Sequence, residues 1–170
     1  MVAPKTHKFD DKLDITYGQY IMDSMEGEVA LQRELEQVLG KKKTYKILRN
    51  WAEKRTVKLI KEHLEKSGVV ITDLEDFVNY MDKMWSSASS QRTNTCEKIK
   101  MDTGSVTYKV TECIWAEKMK ELGASDLGQL TMCDIDFLTA SAYHPKIKLI
   151  REKTIMNGDD CCDFTYVWKD

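Results

Sequence analysis

The stretch TCEKIKMDTGSVTYKVT, residues 95–111, decides the fold because it carries the clearest hairpin pattern in the chain. The turn residues 102–104 separate two segments of strand length, and Val106, Tyr108 and Val110 alternate with polar residues in the second. A period of two places every second side chain on the same face of a strand. We therefore predict an antiparallel hairpin with these three side chains on one face.

A second hairpin is predicted at the end of the chain. Asn-Gly is among the strongest short turn signals, and it stands here in the turn 157–159. We predict strands over residues 148–156 and 160–168 on either side of it. The residues between the two hairpins have a helical period, which predicts helices over 112–122 and 126–142.

Three helices are predicted upstream of the first hairpin. Apolar residues recur every three or four positions over residues 17–39 and again over 42–66. A third helix is predicted with Thr72 as its N-cap and Glu75 as the partner in a capping box. The small polar segment 86–91 then reads as a linker between the helical half and the sheet.

This order predicts an α+β fold, with N-terminal helices packed on a roughly four-stranded antiparallel sheet made of two hairpins with two intervening helices. A chain of 170 residues fits one domain. We expect a single domain over residues 1–170, with a helical half at about 13–88 and a sheet-containing half, which carries the candidate site, at about 93–169.

Composition limits the classes of partner. The formal net charge of -2 gives no general attraction to nucleic acid or to an anionic membrane. The N-terminal segment MVAPKTHKFDDKLD lacks the apolar core of a targeting signal, and no apolar run reaches the length of a membrane span. Five cysteines without a secretion signal are typical of free thiols. We therefore expect a cytoplasmic protein that does not enter a membrane.

The strongest local charge lies on the second predicted helix. Residues 41–66 hold ten Lys and Arg against three Glu, which could form a basic face for nucleic acid. Aromatic residues do not interleave with these charges as they do in single-strand binders. The pattern is more typical of a solvated face with lysine stems over apolar surface, so nucleic acid is not an expected partner.

Cysteine and aspartate residues concentrate in the last third of the chain. Cys133 and Asp136 are three residues apart on a predicted helix, so they share a face. Cys162 and Asp163 open the last predicted strand, and Cys113 lies where the first hairpin meets the next helix. Such ligands from separate elements could hold zinc or a similar divalent transition metal that activates water. No C-x-x-C pair supports this, so the sequence leaves the cofactor open.

The same residues suit two other interpretations. A cysteine paired with an acid such as Asp136, or with His144, could attack an electrophilic carbon and form a covalent intermediate. A carboxylate alone raises the pKa of a neighbouring thiol, so this mechanism needs a cation from His144 or Arg151. The structural alternative is that Cys113 and Cys133 are core residues and that Asp136 is a solvated or capping side chain.

Two runs resemble a known family: TECIWAEKMKELGASDLGQLTMCDIDF, residues 111–137, and HPKIKLIREKTIMNGDDCCDFTY, residues 144–166. Their cysteine before a helix, C-x-x-D helix, basic strand and closing G-D-x-C-D-F-like element resemble the L-2-amino-thiazoline-4-carboxylic acid hydrolase family. The doubled Cys161-Cys162 departs from that pattern. We assign the family position to Cys162 because Asp163 follows it.

The resemblance implies a hydrolase that adds water to the C=N carbon of 2-amino-thiazoline-4-carboxylate. It would open a cyclic amidine C–N bond and give N-carbamoyl-L-cysteine. Such chemistry needs an activated water or thiol, a proton donor and a cation for the substrate carboxylate. Carried onto this sequence, the candidate catalytic residues are Cys113, Cys133, Asp136, Cys162 and Asp163, with Arg151 and His144 as candidates for substrate binding.

A more distant resemblance keeps a second function open. The arrangement is similar to the vinyl-reductase-associated small-molecule-binding domains, whose helices and antiparallel sheet surround a ligand pocket. That similarity implies a pocket without implying catalysis. The alternative function is therefore a non-catalytic small-molecule-binding or regulatory domain of the same fold. Either function makes a small molecule the expected partner, and either is compatible with a homo-oligomer.

Overall fold

The computed structural model describes residues 14–169. Residues 1–13 and 170 lie outside that range. They include most of the N-terminal segment MVAPKTHKFDDKLD, in which no targeting signal is predicted. The helices are α1 Tyr17–Leu39, α2 Lys41–Ser67, α3 Leu74–Trp85, α4 Ala88–Thr93, α5 Ile114–Glu121, α6 Ser125–Gly128 and α7 Asp136–Tyr143, and the strands are β1 Asn94–Met101, β2 Ser105–Cys113, β3 Ile147–Ile150 and β4 Cys162–Trp168. Among the described helices, none combines the length and apolar character needed to cross a membrane.

The four strands form one antiparallel sheet in the order β1-β2-β4-β3, which confirms the predicted α+β fold. The first hairpin lies where the sequence placed it. Val106, Tyr108 and Val110 are 0%, 1% and 2% exposed, as their alternation predicted. Strand β4 lies between β2 and β3, so its side chains meet the centre of the core.

The core consists of two clusters of buried side chains. The first joins the inner face of the sheet to α3, where Phe77 packs edge-on against Tyr166 with ring centroids 4.9 Å apart. The second joins α1 to α5 and α6, with Met25, Met119 and Leu127 at its centre. Burial of these apolar surfaces is the main favourable term in the stability of the fold.

Helix α3 begins one residue later than predicted. The side chain of Asp73, not of Thr72, accepts a hydrogen bond of 2.9 Å from the backbone N–H of Asp76. Thr72 instead binds the Asp76 carboxylate through its own N–H and hydroxyl. The capping partner is therefore Asp76 rather than Glu75, because the shift of the N-cap moves the third helical position by one residue.

The predicted linker contains a short helix. Residues Ala88–Thr93 form α4, and the hydroxyl of Ser87 accepts a hydrogen bond from the backbone N–H of Ser90. Serine competes well for a helix N-cap, so a serine-rich segment can start a helix as readily as it can form a loop. The helix leads directly into β1.

The helix predicted over residues 126–142 is interrupted. Helix α6 passes into a π-helical turn, Gln129–Cys133, before α7 starts at Asp136. The backbone N–H of Asp134 donates to the carbonyl of Gln129 at 2.8 Å, and the Gln129 amide donates to the Asp134 carboxylate at 2.6 Å. Cys133 and Asp136 therefore belong to different helical segments, although they remain close together.

The second hairpin is also shorter than predicted. Strand β3 ends at Ile150, and the chain then forms a loop that includes a 3-10 turn, Ile155–Asn157. Gly158, at a φ of 102°, ends that turn instead of forming a two-residue hairpin. The Asp163 carboxylate accepts hydrogen bonds from the N–H groups of residues 152 and 153, which removes these groups from a strand ladder.

Replacing Phe77 by Ala tests the first core cluster. The ring is fully buried, so Phe77→Ala should lower the free energy of unfolding by about 3–5 kcal/mol, through lost burial and the cavity left behind. Denaturant unfolding measures the change. The matched control is Ile99→Ala on β1, 55% exposed, which should change stability by no more than about 0.5 kcal/mol. Equal effects of the two substitutions would contradict the packing described.

Candidate active site

A partly enclosed cavity of about 230 Å³ lies between strands β2 and β4 and helices α3 and α7. Most of its wall is aromatic or methionine side chain. The polar part is smaller and contains titratable groups from separate elements. The lining residues with polar or thiol groups are Asn94, Cys113, Cys133, Asp136, Thr139, Tyr143, Arg151, Cys162 and Tyr166, and the indoles are those of Trp85 and Trp115.

The cavity brings together most of the residues singled out from the sequence. Cys113, Cys133, Asp136, Arg151 and Cys162 all line it, although they come from β2, the π-helical turn, α7, the loop after β3 and β4. Apart from Cys133 and Asp136, these residues are more than ten positions apart along the chain, so the tertiary fold is needed to bring the set together. This convergence makes the cavity the candidate active site.

Asp136 and Arg151 form the charged centre of the site. Nη1 of Arg151 donates to Oδ2 of Asp136 at 2.6 Å, and Nη2 donates to the carbonyl of Cys133 at 2.8 Å. The carbonyl of Cys133 comes from the end of the π-helical turn, so the interruption of the helix supplies one of the two acceptors. Arg151 thus ties the start of α7 to the π-helical turn.

Two aromatic rings pack against the Arg151 guanidinium. Its Cζ lies 5.0 Å from the centroid of Phe137 and 5.1 Å from that of Phe164. The side chain is 2% exposed. A guanidinium is the cation best suited to such a place, because it combines weak hydration with a planar face that stacks on rings.

The Asp136 carboxyl has a pKa shifted toward neutrality. Burial raises the pKa of Asp136 to about 6, although the Arg151 charge and hydrogen bond oppose the shift. One third of the side-chain surface remains accessible, and the residue lines the cavity. A carboxyl with such a pKa is ionised at pH 7 and still basic enough to accept a proton from water.

The three cavity thiols are kept in the neutral form. Burial raises the pKa of Cys133, and the Asp136 charge adds to the shift while Arg151 opposes it. Burial likewise raises the pKa of Cys113 and of Cys162, with backbone N–H groups in partial opposition. One of these N–H groups, that of Ile155, donates to the Cys162 sulfur at 3.3 Å. These thiols therefore resist ionisation at neutral pH.

Two of the sequence-selected residues lie outside the cavity lining. Asp163 accepts the two backbone N–H bonds that shape the loop after β3, so it positions the residues next to Arg151. His144 stacks on Trp168 with ring centroids 4.6 Å apart, and its Nδ1 accepts a hydrogen bond from the Lys146 N–H. The structure does not bring either side chain to the thiols.

Five aromatic lining residues were not among the candidate site residues: Trp85, Trp115, Tyr143, Phe164 and Tyr166. Phe164 and Tyr166 follow Cys162 at every second position of β4. This period of two was the signal that could have placed the two rings on the same strand face as the thiol. Tyr143 and Trp85 carry no such signal, because each ends a helix whose orientation depends on tertiary packing. Burial raises the pKa of Tyr166, and the nearby Asp136 charge contributes.

Within residues 14–169, no group of three or more His, Cys, Asp or Glu side chains has an arrangement that could hold a metal ion. All five cysteines are free thiols. The cavity thiols and Asp136 thus share one cavity without forming a ligand set in this conformation. The zinc hypothesis stays a prediction that metal analysis can test.

Removing the Arg151 charge should destabilise the protein in a pH-dependent way. Arg151→Met leaves Asp136 without its cation, so the folded-state pKa of Asp136 should rise further above the ordinary value. Stability then falls as pH rises from the ordinary carboxyl pKa toward that raised value, because the unfolded carboxyl ionises while the folded one retains its proton. We expect a loss of about 3 kcal/mol at pH 8 and a smaller loss at pH 5, measured by denaturant unfolding.

Lys153→Met is the matched control, because Lys153 is a half-exposed cation in the same loop. It should change stability by less than about 1 kcal/mol at both pH values. A loss in Arg151→Met that does not depend on pH would contradict the coupling to Asp136.

Comparison with solved structures identifies similar folds. The phenol-responsive sensory domain of the transcription activator PoxR, solved with phenol, has a TM-score of 0.53 at 10% identity, with 85% of this chain and 74% of that chain covered. Trafficking protein particle complex subunit 3 from Naegleria fowleri, covalently bound to palmitic acid, has a TM-score of 0.49 at 13% identity, with coverage of 87% and 96%. The first similarity shows a shared fold alone.

A search of curated proteins gives no match to this sequence. The family model described as L-2-amino-thiazoline-4-carboxylic acid hydrolase, in contrast, matches residues 19–166. The match extends the resemblance from the last third of the chain through the helical half and includes every residue of the cavity wall. The chain therefore belongs to the L-2-amino-thiazoline-4-carboxylic acid hydrolase family.

Proposed function

We propose that the protein is a hydrolase that opens the ring of a small cyclic amidine, with 2-amino-thiazoline-4-carboxylate as its substrate. Family membership supports the reaction class. The observation that carries the proposal is the cavity of about 230 Å³, in which a carboxyl of near-neutral pKa meets a fixed guanidinium. A space of this size suits a single small ring with its substituents.

Atom balance identifies the bond that breaks. The amidine carbon of this substrate is bonded to the exocyclic nitrogen, the ring nitrogen and the ring sulfur. Water adds to that carbon and gives a tetrahedral intermediate. N-carbamoyl-L-cysteine keeps both nitrogens on the carbon, so the C–S bond breaks and the sulfur leaves as a thiol. The C–N cleavage expected from the resemblance is therefore wrong for this product.

Asp136 is the proposed general base. Its Oδ2 is engaged by Arg151, whereas its Oδ1 makes no hydrogen bond to the described part of the chain. The ionised carboxylate accepts a proton from the attacking water as the C–O bond forms. It passes that proton to the ring nitrogen. When the hydroxyl of the tetrahedral intermediate becomes the carbonyl, the carboxylate accepts the second proton of the water and transfers it to the ring sulfur as the C–S bond breaks. Arg151 fixes the carboxylate through this exchange and keeps it ionised at neutral pH.

The state of the thiols favours water over a cysteine as the nucleophile. Burial keeps the pKa of Cys113, Cys133 and Cys162 above the ordinary thiol value. A neutral thiol is a much weaker nucleophile than a thiolate. In the proposed reaction these side chains shape the cavity wall, and the covalent route is the alternative that mutagenesis can exclude.

A second candidate function is a non-catalytic ligand-binding domain. The PoxR sensory domain that shares this fold was solved with phenol, and the cavity here is mostly aromatic and apolar. Such a wall would hold a small ring without reacting with it. Turnover separates the two functions, because a binding domain has affinity for the ring and no catalytic rate.

A cytoplasmic location is part of the proposal. All five cysteines are free thiols, which suits a reducing compartment. The proposed partner is the small-molecule substrate. That the protein forms a homo-oligomer stays a prediction, which light scattering can test.

Asp136→Asn should abolish most of the activity. The substitution keeps the shape of the side chain and removes the base, so kcat for 2-amino-thiazoline-4-carboxylate should fall by about 10²–10⁴-fold. In the parent protein kcat/KM should rise with pH through the Asp136 pKa of about 6 and then level, because only the ionised carboxylate accepts the proton. The control is Asp23→Asn on the exposed face of α1, which should leave kcat and KM unchanged.

Cys133→Ser distinguishes the two mechanisms. If water is the nucleophile, kcat should change by no more than a few fold, and metal content should not follow activity. A loss as large as that of Asp136→Asn would establish the covalent route instead. Absence of turnover in the parent protein, with binding of the ring preserved, would support the ligand-binding function.

A further inference from the structure

Two buried N–H groups at the cavity wall have no hydrogen-bond partner. They are Nε1 of Trp85 and Nε of Arg151, and both residues line the cavity. The other unpaired buried side-chain atoms of the described chain are acceptors on α1, Oε1 of Gln32 and of Glu36. Folded proteins pair nearly all buried donors, so two unpaired donors at one cavity call for a specific partner.

The two donors flank the same aromatic ring. The Trp85 indole lies edge-on to Phe164 with ring centroids 6.3 Å apart, and Cζ of Arg151 lies 5.1 Å from the Phe164 centroid. The Tyr108 ring also packs near the indole, with ring centroids 6.4 Å apart. Packing around Phe164 thus holds both donor side chains in the same part of the cavity wall.

The chemistry of the donors defines the acceptor. An indole N–H and a guanidinium N–H can only donate, so their partner must offer lone pairs on two sides. A carboxylate does so with two oxygens, and its charge complements that of Arg151. An acceptor at Nε need not displace Asp136 from Nη1 or the Cys133 carbonyl from Nη2.

We propose that Trp85 is a specificity-determining residue of the site, whose indole N–H receives the substrate carboxylate together with Nε–H of Arg151. The inference rests on the proposed function, because it assigns an orientation to the same substrate. A ring without the carboxylate leaves both donors unpaired when it fills the cavity. Sites built on buried polar groups reject such ligands strongly.

Binding measurements with two ligands and two protein variants test the inference without turnover. The probes are 2-aminothiazole-4-carboxylate and 2-aminothiazole, aromatic rings that resist hydration and differ only in the carboxylate. Calorimetry gives the dissociation constants for the parent protein and for Trp85→Phe, which keeps an aromatic ring but removes the donor. The parent should prefer the acid by at least about tenfold, and Trp85→Phe should lose most of that preference.

Trp168→Phe is the matched control, because Trp168 stacks on His144 outside the cavity lining and should leave the preference unchanged. An undiminished preference in Trp85→Phe, with thermal stability preserved, would overturn the inference and leave the proposed function intact. A preference that depends on Trp85 without turnover of 2-amino-thiazoline-4-carboxylate would support the inference and overturn the hydrolase. Absence of binding by either probe to the parent protein would overturn both.

Discussion

The ion pair between Arg151 and Asp136 is the interaction on which the site depends. It places a cation that is 2% exposed against a carboxylate inside the fold, at a distance of 2.6 Å. Buried charges are costly unless they are paired and hydrogen-bonded. Removal of one partner of such a pair is strongly destabilising, because the other charge is left buried without compensation. The surrounding chain meets this cost with the Cys133 carbonyl and with two aromatic rings against the guanidinium.

Local irregularities around the ion pair follow from the same requirement. The π-helical turn presents the Cys133 carbonyl to Arg151, and α7 then starts with Asp136. On the opposite side, Asp163 holds the loop after β3 through two backbone bonds. A continuous helix and a regular hairpin would leave no place for these contacts. Departures from regular structure thus coincide with the site.

Sequence patterns predicted the parts of the fold that depend on local periodicity. The alternation of Val106, Tyr108 and Val110 predicted a buried strand face, and the helical period predicted the bounds of α1, Tyr17–Leu39. The π-helical turn was missed because the helical period does not reveal the side-chain bond between Gln129 and Asp134 that accompanies it. The loop after β3 was missed for a similar reason, since the groups that shape it are distant in sequence.

The candidate site was predicted as a set of residues, without its geometry. Cys113, Cys133, Asp136 and Cys162 do meet in one cavity, yet their convergence depends on the sheet order, which no local pattern contains. Burial then determines their chemistry. It raises the pKa of the thiols away from reactivity and brings that of Asp136 to about 6, so the carboxyl rather than a thiol is suited to proton transfer.

A crystal structure with 2-aminothiazole-4-carboxylate would test most directly whether this cavity is the substrate site. We expect the ring between α3, α7 and β4, with its amino group within hydrogen-bond distance of the Asp136 carboxylate. A ring bound elsewhere, for example in the surface groove formed by Trp51, Arg55 and Trp115, with the cavity unchanged, would contradict the assignment of Asp136 and Arg151 to catalysis.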